Sequence, residues 1–128
     1  MTSKPRARSH GTADVSKVVT KAALRAADRL GIKSNVLAKI IGLSAPTISR
    51  MYKGSYLLPS ESKAFELAVL FVRFYRALDG IVGGDDSVAA NWLKNRNTVL
   101  NEIPLEMIQS ISGLTNAIEY LDSRRAIV

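Results

Sequence analysis

Residues 34–53 read SNVLAKIIGLSAPTISRMYK, and their pattern indicates the kind of fold to expect. Apolar residues recur three and four positions apart on both sides of Gly42, which is the spacing of one face of a helix. Gly42 follows the small Ala38 by four residues. It stands where a sharp turn needs a positive φ angle, which glycine adopts without steric cost. The segment therefore predicts two short helices joined by a tight turn and crossing at about 90 to 120°.

The ends of these two helices also carry sequence signals. Ser34 and Ser44 are suited to cap the first and the second helix. Pro46 falls in a first turn, where its missing N–H does no harm. Gly54 ends the second helix, whose inward-facing stripe we expect to be Ile48, Met51 and Tyr52.

This pattern resembles the helix-turn-helix of the Xre and phage-repressor kind. The resemblance implies that the second helix lies in the major groove of DNA, with its N-terminal residues near base edges. The outward-facing candidates for DNA binding are Ser44, Ala45, Thr47, Ser49, Arg50, Lys53, Lys39 and Lys33. Arg50 is suited to a bidentate contact with guanine, and the lysines to phosphate contacts that position the protein. The alternative is a merely solvated face, on which Thr47 caps its own helix.

Charge is distributed unevenly along the 128 residues, whose net charge is +7. Residues 1–59 carry eleven Lys or Arg against two acids, whereas residues 60–128 carry seven against nine. This asymmetry suggests that the first half faces a polyanion, although a solvated basic face would give the same balance. Residues 1–13 predict a flexible basic arm, whose tip could touch DNA phosphates.

The remaining apolar periodicity predicts five more helices and no strand, so the expected fold class is all-α. Gly31 is expected to stop the first of these helices, Ser60 to begin the second, and Asp85 and Asp86 to cap the third. Gly113 is expected to stop the fourth, and Thr115 to cap the fifth. The predicted helices span residues 14–30, 60–78, 87–95, 104–112 and 115–124.

The helix that begins at Ser60 is apolar on nearly every side, so it must be covered by both halves of the chain or by a second copy. It is therefore the candidate dimer interface. The predicted organisation is a helix-turn-helix domain at 14–59, a central helix and linker at 60–84, and a small helical module at 85–128.

The last module has a recognisable frame within WLKNRNTVLNEIPLEMIQSISGLTNAIEYLD, residues 92–122. The frame consists of Trp92-Leu93, Leu100, Pro104, Gly113 and Leu121. It resembles the toxin-binding domain shared by antitoxins of the Xre, MbcA and ParS kind, which follows a helix-turn-helix in that family. The resemblance implies a partner toxin of the RES type, similar to NAD-consuming enzymes. It also implies that the antitoxin's C-terminal end lies at or near the toxin's active site.

The candidate toxin-binding residues are Trp92, Asn95, Arg96, Tyr120, Arg124, Arg125, Ala126, Ile127 and Val128. Arginine is apt for a blocking element because its guanidinium can occupy a pocket that normally takes phosphate groups. Two alternatives remain open: Trp92 as a core anchor, and the tail as a frayed terminus.

Other classes of protein are disfavoured by what the sequence lacks. Cysteine is absent, which excludes disulfides and thiolate metal sites and favours the cytoplasm. The single histidine is His10, and no phosphate-binding glycine loop follows a strand, so we expect no enzyme, no cofactor, no metal and no small-molecule substrate. The most apolar stretch, 64–78, contains three charged residues, and the N-terminal residues lack the apolar core of a secretory signal, so no membrane association is expected.

The sequence thus predicts a cytoplasmic, homodimeric antitoxin of a type II toxin-antitoxin system. It would block a RES-type toxin sterically and repress its own operon by binding double-stranded operator DNA. One alternative is a one-component repressor without a toxin, and another is a partitioning protein that coats DNA.

Overall fold

The computed structural model describes the backbone of residues 3–127 and the side chains of residues 14–125. Within that range the chain forms helices and no strand, which confirms the all-α expectation. One isolated antiparallel bridge joins Asn97 and Glu102. The helices are α1 (Ser3–Leu30), α2 (Ser34–Ile41), α3 (Ala45–Tyr52), α4 (Lys63–Ile81), α5 (Asp86–Lys94), α6 (Pro104–Met107) and α7 (Ile111–Ile127).

Helix α4 is the centre of the fold. It packs against α1 and α2 of the first half and against α7 of the second, while α5 bridges α1 and α6. Phe71, Phe74 and Leu78 of α4 are completely buried. Burying each such side chain stabilises the fold by about 1.5 to 3 kcal/mol. Both halves of the chain therefore cover α4, which is one of the two solutions expected for so apolar a helix.

The first helix is longer than the sequence predicts. It begins at Ser3 rather than at residue 14, and so includes most of the segment expected to be an arm. Pro5 falls in its first turn, where proline is tolerated, and Gly11 costs only about 1 kcal/mol in a helix. The side chains of residues 1–13 lie outside the described residues, so the expected phosphate contact of this segment stays a prediction.

The N-caps of α2 and α4 also differ from expectation, because in each case the turn before the helix determines which residue is the cap. Lys33, not Ser34, holds the extended N-cap position of α2, and no side chain caps that helix. Gly31 stops α1 as predicted, with φ +70°, and Ile32 is buried directly after it. In α4 the cap is Ser62 rather than Ser60. The Ser62 hydroxyl donates to the carbonyl of Pro59 at 2.7 Å and accepts from the amide of Phe65 at 3.1 Å.

The C-terminal helices differ most from their predicted bounds. Helix α6 is a single turn, and α7 already begins at Ile111, so Gly113 lies inside a helix instead of ending one. Gly113 is needed for close packing, because a Cβ there would overlap the carbonyl oxygen of Met107. Thr115 is not a cap either, since its hydroxyl donates to the carbonyl of Ile111 at 2.9 Å within α7. By contrast, Asp85 caps α5 as expected, accepting from two backbone amides.

Candidate functional site

The turn between α2 and α3 has the geometry that the sequence predicts. Gly42 adopts φ +76° and ψ 38°, in the left-handed region, and its amide donates to the carbonyl of Ala38 at 2.8 Å. A Cβ at Gly42 would meet only the Leu67 side chain at 3.6 Å, so the backbone conformation rather than space requires glycine. Ala38 is buried beside the turn. The chain therefore bends sharply at Gly42 and presents α3 as a separate helix.

The N-terminal end of α3 carries a chain of hydrogen bonds on its outer side. Ser44 caps the helix by accepting from the amide of Thr47 at 3.3 Å, and the two hydroxyls lie 2.8 Å apart. The Arg50 guanidinium donates to the Thr47 hydroxyl at 3.0 Å. Among the described side chains this is the one bond of the Arg50 guanidinium, which has five N–H donors and therefore keeps others for a ligand. The capping side chain is therefore Ser44 and not Thr47, whose hydroxyl instead orients Arg50.

The other residues predicted to bind DNA are also accessible. Ala45, Ser49 and Lys53 of the α3 region and Lys33 and Lys39 of the α2 region are exposed, while Thr47 is half-buried. None of these three lysines forms an ion pair with a carboxylate in the part of the chain whose side chains are described. The structure thus brings these candidates together around α2 and α3, as an uncompensated basic surface.

One polar contact at the end of α3 was missed by the sequence analysis. Tyr52, expected to face inward, is 42% exposed, and its hydroxyl donates to the Asp28 carboxylate on α1 at 2.8 Å. Partial burial, together with this hydrogen bond and the carboxylate charge, raises the pKa of Tyr52 to about 12. Apolar spacing gives no signal for such a contact, because the ring and the hydroxyl of tyrosine have opposite preferences. The bond ties α3 to α1.

The C-terminal candidates divide into an anchor and a braced loop. Trp92 is half-buried, and its ring lies 6.4 Å from that of Phe74, which fits a core anchor. Asn95 donates to the carbonyl of its own helix at Asn91, 2.7 Å away. Arg96 donates to the backbone and side-chain oxygens of Asn101 at 3.1 and 3.3 Å. These contacts hold the loop after α5 in place while leaving both polar side chains exposed.

The outer end of α7 presents two arginines. The Arg124 guanidinium donates to the Tyr120 hydroxyl at 3.0 Å and lies 5.8 Å from the centre of the same ring. Arg125 lines a groove of about 440 Å³ together with Gly80 and Ile81 at the end of α4. Helix α7 continues to Ile127 instead of ending at 124. The side chains of Ala126 and Ile127, and the whole of Val128, lie outside the described residues.

The two sets of candidates lie on different parts of the fold. Helix α3 packs on α1 and α2, whereas α7 packs on α4 and α6.

In the described part of the chain, no group of three or more His, Cys, Asp or Glu residues could hold a metal ion. None of the described helices has the length and apolar character needed to cross a bilayer.

Comparison with known families divides the chain within α4. Residues 9–73 match the family model of the antitoxin Xre-like helix-turn-helix domain, and residues 77–126 match that of the antitoxin Xre/MbcA/ParS C-terminal toxin-binding domain. The first match alone covers just over half of the chain, and both matches end or begin within α4. No curated protein sequence is detectably similar to the chain. The chain belongs to the Xre family of antitoxins, with a DNA-binding helix-turn-helix domain followed by a toxin-binding domain.

Proposed function

We propose that this antitoxin neutralises a RES-type, NAD-consuming toxin by placing the outer end of α7 in the toxin's active site. The toxin-binding family match supports a toxin partner. The RES type rests on the resemblance of the frame from Trp92 to Leu121 alone. The observation that carries the blocking role is the fixed, exposed guanidinium of Arg124, held over Tyr120. Inhibition of this kind is steric and needs no chemistry from the antitoxin.

The chemistry of the α7 end suits such a pocket. A site that binds a dinucleotide must hold phosphate groups, and guanidinium groups pair with phosphate through two parallel hydrogen bonds. Arg124 and Arg125 are adjacent and exposed on the last turns of α7. Tyr120 limits the freedom of Arg124, so less side-chain entropy is lost when it binds.

Co-expression with the product of the adjacent reading frame, which the proposal expects to be a RES-type toxin, tests it. The full chain should restore growth. A chain lacking residues 124–128 should still copurify with the toxin, because the buried α7 residues Ala117, Ile118 and Leu121 are kept, but it should not restore growth. A Lys63→Ala variant, altered at an exposed residue at the start of α4, should protect like the wild type. Growth arrest despite the full chain would refute the toxin assignment, and protection by the shortened chain would refute the blocking role of the α7 end.

We also propose that α3 represses the antitoxin's own operon from the major groove of the operator. The free donors of Arg50 suit the O6 and N7 atoms of a guanine. Arg50→Ala should cost about 1 to 3 kcal/mol of operator affinity and relax the preference at one base position. Lys39→Ala is the matched control, because losing a phosphate contact weakens binding equally on all sequences. Binding assays on operators of different sequence distinguish the two protein variants. If Arg50→Ala weakens binding equally on every operator sequence, Arg50 is a phosphate contact.

We further propose that the protein acts as a cytoplasmic homodimer, so that two α3 helices reach half-sites about one helical turn apart. The candidate interface is the outer face of α4, where Phe65, Val69 and Leu70 line a shallow apolar groove and Val69 is 43% exposed. Val69→Glu should convert the dimer to a monomer in sedimentation experiments and weaken operator binding. A wild-type chain that sediments as a monomer would refute this part.

A further inference from the structure

A groove between α1 and α4 is lined by arginines and by no carboxylate. Arg25 and Arg29 reach it from α1, and Tyr75 and Arg76 from α4. Its volume is about 260 Å³, and Val72 and Ala26 form part of its apolar lining. Its residues Val72 and Arg76 also line a neighbouring groove that reaches Asp122 and Arg125 of α7, whereas Arg25 and Arg29 line only the α1 side. Neither proposed role uses Arg25, Arg29 or Arg76.

Two of the three arginines in this groove have no partner among the described side chains. Neither Arg25 nor Arg76 forms an ion pair or hydrogen bond with any residue whose side chain is described. Arg29 donates to the Tyr75 hydroxyl at 3.4 Å, and its pKa is raised, first by that bond and less by the charges of Asp86 and Asp79. The charge of Arg29 is thus partly compensated, unlike those of Arg25 and Arg76.

Arg73, one turn before Arg76 on α4, gives the contrast. It pairs with Asp122 of α7 at 3.2 Å, so an arginine of this helix engages a carboxylate where the fold offers one. On the α1 side, Asp86 and Asp79 act on Arg29 only at a distance, and no described carboxylate forms an ion pair with a groove arginine. Gathering positive charges around one groove raises the electrostatic free energy of the folded chain. An anion bound there would offset that cost.

The size and geometry of the groove favour a phosphate group. Pockets for larger organic ligands usually exceed about 300 Å³, so this groove suits a small anion or the head of a ligand that extends outward. Guanidinium forks match the oxygens of phosphate. Residues Arg25, Arg29 and Val72 also fall within the match to the DNA-binding domain, which favours phosphate over the carboxylates of a toxin.

We propose that the groove of Arg25, Arg29 and Arg76 binds a phosphate group. Its source is either the DNA backbone beside the operator contact or a small phosphorylated molecule. The DNA source rests on the proposed operator binding, whereas the second source does not.

Two measurements on the full chain separate these sources. The first follows backbone and arginine side-chain NMR signals as inorganic phosphate replaces chloride at constant ionic strength and without DNA. The second measures operator affinity against salt concentration. Both use the wild type, an Arg25→Gln/Arg76→Gln variant and a Lys94→Gln control, whose charge on α5 lies outside the groove. All three altered residues are exposed, so the fold should be retained, and circular dichroism checks this.

For a small phosphorylated ligand, phosphate should shift the signals of groove residues, and the double variant should bind it at least about tenfold more weakly. For the DNA backbone, the double variant should lower the slope of log affinity against log salt by about 1 to 2, since each lost phosphate contact removes about 0.9. Either result with an unchanged Lys94→Gln control supports the proposal.

The proposal is overturned if the double variant behaves like the wild type in both measurements, or if the control changes as much as the double variant. If the double variant keeps both readouts but no longer copurifies with the toxin, the groove binds a carboxylate-bearing protein surface and the proposal is overturned. If the wild type binds no operator, the operator proposal fails while the phosphate titration still decides this one.

Discussion

Gly113→Ala tests how closely α7 approaches α6. A Cβ at this position would overlap the Met107 carbonyl oxygen and lie 2.8 Å from the carbonyl carbon and 2.9 Å from the Ser110 hydroxyl oxygen. The obstructing atoms belong mainly to the backbone, so no side-chain rotation removes the conflict. Either α7 moves away from α6 or the single turn of α6 unwinds.

The magnitude follows from two opposing effects. Overpacking in a well-packed interior costs about 1 to 3 kcal/mol, and overlap with the backbone places this case at the upper end. Alanine in place of glycine in a helix returns at most about 1 kcal/mol. The net loss in the free energy of unfolding is therefore about 2 kcal/mol. For a chain of this length, that loss lowers the melting temperature by roughly 8 °C.

Gly80→Ala is the matched control, since Gly80 is also helical but has space. A Cβ there would meet the flexible Arg125 side chain, with Nε at 3.8 Å and Cδ at 4.0 Å, which are ordinary contacts. This variant should gain about 0.5 kcal/mol from helix propensity. Urea unfolding followed by circular dichroism measures both changes. If Gly113→Ala is as stable as the wild type, or if the two variants shift in the same direction, the packing argument is wrong.

Three further predictions concern other contacts. Tyr52→Phe should lower the free energy of unfolding by about 1 kcal/mol at neutral pH, through loss of the bond to Asp28. Because burial first, and then that bond, raise the tyrosine pKa from 10.0 to about 12, the wild type but not this variant should lose stability between those pH values in urea titrations. The hydrogen bond from the Ser87 hydroxyl is the main reason that the pKa of Asp85 is lowered in the folded chain. The ionised Asp85 carboxylate therefore stabilises the fold, and this stabilisation is lost as the pH falls below about 4. Asp85→Asn should flatten the acid limb of the stability curve. Trp92→Ala should cost about 2 kcal/mol in urea unfolding, whereas unchanged stability with lost toxin binding would identify a contact residue rather than an anchor.

Local signals predicted the part of the fold that local interactions determine. The turn at residue 42 was predictable because its left-handed conformation favours glycine over other residues. The cap of α3 was predictable because the Ser44 hydroxyl reaches the amide three residues ahead. The apolar periodicity then predicted which segments of the chain form helices. The outward set around Arg50 followed from the same periodicity.

Contacts between distant segments were not predictable in this way. Gly113 looks like a helix stop in isolation, and only the approach of Met107 reveals why it is inside α7. The bond between Tyr52 and Asp28 joins residues 24 positions apart. Such contacts depend on how the helices pack against each other, so the residue pattern of a single helix does not predict them. The arginine groove is another such case, since it is formed by residues of α1 and α4 together.

The shared helix α4 has a practical consequence for protein engineering. Its first residues complete the domain that carries α3, and its last residues lie against α7, without a flexible connector between the two parts. A chimera that exchanges partner specificity must therefore keep the α4 residues that face α1 and α2 while replacing those that face α7. A cut at a domain boundary would leave Phe71 or Phe74 uncovered, so the splice has to follow a helix face instead of a position in the chain.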